Sequence, residues 1–117
     1  AWPERIATSC KPLDLAAIGQ LTFEQPDPVR FPALRLTRDA VNEGGAKPAI
    51  LNAANEVAVA GFLAGQIGFL EIAALVENTL NGYAPNNMPQ TLADLFSIDA
   101  AARNYAQAQL QKVAYAS

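Results

Sequence analysis

Proline divides this chain in two. Five of its eight prolines (Pro3, Pro12, Pro26, Pro28 and Pro32) lie in the first 32 residues. A proline inside a helix removes a backbone hydrogen bond and clashes with the preceding turn, at a cost of about 3 kcal/mol. The front of the chain therefore reads as an irregular arm with one short helix, residues 12–18, ended by Gly19. Leu21-Thr22-Phe23-Glu24 alternates apolar and polar side chains ahead of Pro26-Asp27-Pro28, which predicts one short strand. A single strand makes no sheet, so its partner is expected elsewhere.

Beyond the arm the reading is helical. Pro32 suits a first helical position, where no amide donor is needed, and the helix it opens should stop at Gly44-Gly45. Pro48 opens a second helix in the same way, with a glycine end at Gly65. A third, residues 70–80, places Ile72, Leu75, Val76, Thr79 and Leu80 on one face, opposite Glu71, Glu77 and Asn78. Residues 83–90, with Pro85 and Pro89, read as a loop. The last helix is expected to start after Ser97 as N-cap and to run to about Tyr115. Alanine recurs throughout, favouring helix and close helix–helix approach. The expected fold is mainly α: a four-helix-bundle-like domain over residues 31–117, preceded by a Pro-rich arm over residues 1–30 with one short helix and one short strand. Leu51, Val57, Phe62, Ile72, Leu75, Val76 and Leu80 are the expected core.

Composition removes much chemistry. The chain has no histidine and a single cysteine, Cys10. Ser-His-Asp and Cys-His catalysis, His-containing metal sites and thiolate zinc sites are thereby excluded within it. Cys10 cannot form an internal disulfide and is expected as a buried, inert thiol. A net charge of −3 gives neither the basic footprint of nucleic-acid binding nor a polybasic patch for anionic lipid. The longest apolar run, residues 57–64, falls far short of the roughly 20 residues of a membrane span. An opening at Ala1-Trp2-Pro3-Glu4, without Met or a leader pattern, is expected of a piece entered in mid-domain. Trp2 could stack on a ligand or serve as an aromatic anchor packed on further structure.

One constellation calls for weighing. The second helix is apolar almost all round, as a central helix is, and only Asn52, Asn55 and Glu56 interrupt it. Their i, i+3, i+4 spacing stacks them on one face. They could line a ligand or metal pocket. The plainer reading, which we favour, is that they satisfy backbone groups or form a polar stripe against a neighbouring domain. One carboxylate with two amides is a poor site for a hard cation. Arg35, Arg38, Asp39 and Glu43 read as a solvated charged face.

The string AILNAANEVAVAGFLAGQIGFLEIAALVENTL, together with AWPERI, KPLDLAAIGQLTFEQPDPVRFPALRL and SIDAAARNYAQAQLQKV, resembles the C-terminal part of the 1-deoxy-D-xylulose 5-phosphate reductoisomerase family. The resemblance runs through essentially the whole chain, and LNAANE is its most specific piece. It implies a homodimeric parent enzyme with an N-terminal dinucleotide-binding domain, a catalytic domain and this helical domain. Such an enzyme converts 1-deoxy-D-xylulose 5-phosphate to 2-C-methyl-D-erythritol 4-phosphate, for isoprenoid precursors, with NADPH and a divalent metal (Mg, Mn or Co). Fosmidomycin occupies the substrate site in that family. The family's nucleotide loop, metal carboxylates and phosphate-binding residues correspond to no position here. The chain is therefore expected to have no catalytic, cofactor-binding or metal residue of its own and to be inactive alone. Its expected partners are the remaining domains of the parent, in a bacterial cytoplasm, and a second copy held through residues 1–30. The alternative is a free-standing helical interaction module.

Overall fold

The computed structural model describes residues 3–4 and 6–114. The expectations placed on Trp2 and Tyr115 lie outside them. The helices are α1 (Leu15–Ile18), α2 (Pro32–Glu43), α3 (Lys47–Leu63), α4 (Phe69–Gly82) and α5 (Leu92–Ala114). Helix α3 packs against α2, α4 and α5, and α4 also touches α2 and α5. The mainly helical reading holds, with α2 to α5 forming the bundle.

Punctuation sets the boundaries. Proline stands in the first turn of both α2 and α3. Gly44 and Gly45 between them adopt φ of 69° and 57°, the left-handed region that glycine enters without a steric penalty. Gly44 donates to the Ala40 carbonyl and closes α2. Lys47 then ties two helix ends together. Its Nζ donates to the Leu80 carbonyl at 2.8 Å and lies 3.6 Å from Glu43 Oε2, putting a cation at the negative end of α4.

The core sits around α3. Ile50, Ala53, Ala54 and Ala58 are fully buried, and Leu75, Val76, Leu80, Ile98, Ala102, Ala106 and Leu110 close on them. Small residues decide how closely the helices approach. A Cβ added at Gly61 would meet Leu110 Cδ1, and one at Gly82 would meet the Tyr105 hydroxyl. Thr79, the one buried polar side chain among the described residues, donates Oγ1 to the Leu75 carbonyl at 2.9 Å and so keeps its hydrogen bond.

Several expectations need correction. Leu21-Thr22-Phe23-Glu24 forms no strand, because no second strand exists among the described residues to pair with it. Helix α1 is shorter than expected: Asp14 accepts the amides of Ala16 and Ala17 and caps the helix there. Helix α5 begins well before Ser97. Thr91 Oγ1 accepts the Asp94 amide at 3.2 Å while Asp94 Oδ2 accepts the Thr91 amide at 2.9 Å, a reciprocal capping box. Of the expected core, Leu75, Val76 and Leu80 are buried and Leu51, Val57 and Ile72 partly so, but Phe62 is 37% exposed. It turns outward to meet Phe69 edge-on, with ring centroids 5.9 Å apart. Cys10 is exposed, as are the described residues of the arm on either side of it.

That arm lengthens the molecule. The radius of gyration is 18.5 Å, against about 13 Å for a compact domain of similar length. Helix α1 touches no other helix, and Leu13, Leu15, Leu21 and Phe23 stand 53–84% exposed.

Leu75 is 2% exposed, and Leu75→Ala is expected to lower stability by about 2–5 kcal/mol. Phe62→Ala, at the outer surface, should lower it clearly less. Denaturant midpoints of the two variants check the order.

Candidate functional site

The polar stripe of α3 is exposed along its length. Asn52 Nδ2 donates to Glu56 Oε1 at 3.0 Å, and Arg103 of α5 lies 2.8 Å from Glu56 Oε2. The same guanidinium donates to both oxygens of Asp99, one turn earlier, at 2.6 and 3.2 Å. Arg103 thus bridges two carboxylates and fastens α5 to α3. The hydrogen bonds from Arg103 and then Asn52 hold the Glu56 carboxyl below its ordinary 4.5. Asp99 and Glu56 together raise Arg103 further into its charged range.

Asn55 parts from the other two. It faces a groove of about 850 Å³ between α2, α3 and α4, lined mainly by apolar side chains such as Phe31, Leu36, Leu51, Phe69, Ile72 and Val76. The stripe foreseen as one unit is therefore two features, an interhelical clamp and one amide at the rim of an apolar groove. The charged face of α2 also finds a partner across the bundle. Arg35 Nη2 donates to Glu77 Oε1 of α4 at 2.8 Å, and Nη1 of the same guanidinium lies 3.7 Å from Asp39 Oδ2.

Reading the sequence missed both the groove and the Arg103 clamp. The clamp had a local signal, since Asp99 and Arg103 stand four apart on one helix; the groove had none, because three separate segments build it. Among the described residues no three of His, Cys, Asp or Glu gather in a metal-binding group. The described residues thus gather no set of carboxylates of the kind a hard divalent cation needs. No helix of the described residues is long and apolar enough to cross a membrane.

Comparison with known proteins gives the fold its family. The family model for the DXP reductoisomerase C-terminal domain matches residues 1–105. The 1-deoxy-D-xylulose 5-phosphate reductoisomerase of Zymomonas mobilis is 49% identical over 113 residues, covering 97% of this chain and 29% of that protein. The protein of the same name from Pseudomonas savastanoi pv. phaseolicola is 51% identical over 112 residues, covering 96% of this chain and 28% of its own length. Among solved structures, the Z. mobilis enzyme in complex with NADPH superposes with a TM-score of 0.84 at 50% identity, over 94% of this chain and 29% of that one. A DOX-P reductoisomerase with fosmidomycin and magnesium gives 0.83 at 32% identity, over 100% and 31%.

The Glu56 clamp makes a pH prediction. A carboxyl whose pKa is lowered on folding contributes stability that is present above its unfolded value and lost as pH falls through the folded one. Glu56→Gln should therefore narrow the difference in urea midpoint between about pH 6 and about pH 3. An unchanged difference would mean that the clamp is not formed in solution. The chain, spanning about 29% of the relatives' length and matched by the family model over nearly all of its own, belongs to the DXP reductoisomerase C-terminal domain family.

Proposed function

We propose that this chain is the C-terminal support portion of an NADPH- and metal-dependent 1-deoxy-D-xylulose 5-phosphate reductoisomerase, with no catalytic, cofactor-binding or metal residue of its own. One observation carries the reading: the match covers 97% of this chain but only 29% of the relative. The nucleotide, metal and substrate sites would then belong to the part of the parent that this match does not cover. NADPH and magnesium appear with the solved relatives, and the parent of this chain would use the same pair. The residues it holds act by packing: α2 to α5 form a bundle, and the arm reaches toward the remaining domains. Residues 1–30 would belong with the catalytic part and residues 31–117 would form the helical domain. Asn52, Asn55 and Glu56 serve helix packing and a polar margin facing another domain, rather than chemistry.

The arm also supports association. Leu13, Leu15, Leu21 and Phe23 are exposed and covered by nothing in the single chain, and apolar surface of this kind marks an interaction site. In the parent it would be covered by the catalytic domain and by a second subunit, giving a homodimer in the bacterial cytoplasm. In the isolated chain a second copy is the available cover, through residues 1–30. The alternative of a free-standing interaction module shares the exposed arm but predicts no need for the remaining domains.

The purified chain tests both parts. With substrate and Mg or Mn it should oxidise no NADPH above background, and titration with NADPH should give no heat of binding. Sedimentation at rising concentration should shift toward dimer. Turnover or NADPH binding by this chain would overturn the support role, and a strict monomer would overturn the association.

A further inference from the structure

Residues 26–32 (PDPVRFP) join the arm to the bundle and are built unlike a loose linker. Pro26, Pro28 and Pro32 each fix their own φ and press the preceding residue toward extended backbone. Between them a single residue gathers three successive amides. Asp27 Oδ1 accepts Val29 N–H and Arg30 N–H, both at 2.9 Å, and the Asp27 carbonyl accepts Phe31 N–H at 2.9 Å. The Arg30 guanidinium lies over the Phe31 ring, 5.5 Å from its centroid. Pro32 then enters the first turn of α2, so the turn runs into the bundle with no slack residue between them.

The surroundings give this corner its meaning. Helix α1 touches no helix of the bundle, so helix packing does not hold the arm in place. Yet the likeness to solved reductoisomerases extends over 94% and 100% of the chain, so it takes in the arm as well as the bundle. The corner is the only covalent link between the two, and a flexible linker would instead call for Gly/Ser-rich sequence.

We propose that residues 26–32 form a rigid elbow that sets the direction of the arm relative to the bundle, with Asp27 as its positioning residue. The elbow is a property of this chain alone. Its consequence, that the bundle is presented to the catalytic part of the enzyme at a fixed angle, rests on the function proposed above.

The test uses spin labels at Gln25→Cys and Gln107→Cys, both exposed positions, in a Cys10→Ser background, with the distance distribution read by pulsed electron resonance. With the labelled chain diluted in excess unlabelled chain, so that association between copies adds no distances, one narrow distribution is expected. Asp27→Ala and Pro28→Gly should each broaden it about twofold or more, with helix content by circular dichroism unchanged. Asp27→Asn keeps an acceptor oxygen and should stay narrow. A broad distribution in the labelled parent, or narrow ones in both Asp27→Ala and Pro28→Gly, would overturn the elbow. Should Asp27→Ala lose helix, Pro28→Gly decides. The measurement involves neither cofactor nor the remaining domains, so its failure leaves the proposed function standing.

Discussion

Everything in the bundle depends on how closely α3 is approached. Ile50, Ala53, Ala54 and Ala58 are fully buried, and Gly61 leaves room that Leu110 fills. Small side chains on a central helix let neighbouring backbones come near, and dense packing then makes each added methylene felt. The polar ties lie outside this core and fasten helix ends and faces: Lys47 to the end of α4, Arg35 to Glu77, and Arg103 to Glu56. Being partly or wholly exposed, they orient helices already held by burial and add little to stability.

How much could be read from the chain follows from where each signal resides. Pro32 and Gly44 mark α2 at both ends because proline and glycine act on their own backbone, whatever surrounds them. The start of α5 was missed because Thr91 and Asp94 cap a turn directly after a proline-rich loop, and Ser97 offered a plausible later cap. Phe62 lies on a helix apolar almost all round, where the wheel alone does not say which side lacks a neighbour. The strand expected at Leu21 to Glu24 failed for a related reason, since alternation describes one edge of a pairing whose other edge must exist. Asn52 and Glu56 could be placed on one face, but their partner Arg103 comes from another helix and Asn55 belongs to a groove assembled from three segments.

The same division separates fold from function. A helical bundle with an apolar core hosts no particular chemistry, and activity lives in sites placed on folds. Here the groups with shifted pKa values, Arg35, Glu56, Asp94 and Arg103, pair with other charged side chains or cap a helix. Asp94 illustrates this: amide hydrogen bonds from Gln90 and Thr91 lower its pKa, so its shift reports a helix cap rather than catalysis. Apolar surface stays open along the arm, in the groove beside it, and at Leu63, Met88, Leu92 and Phe96 on the bundle.

The central claim is that the bundle is a self-sufficient support and the arm belongs to what it supports. Expressing residues 31–117 alone and following their urea denaturation by circular dichroism tests this most directly. One cooperative transition with the midpoint of the complete chain is expected, because every buried side chain among the described residues lies beyond Phe31. A broad, non-cooperative transition, or a midpoint well below that of the complete chain, would contradict it.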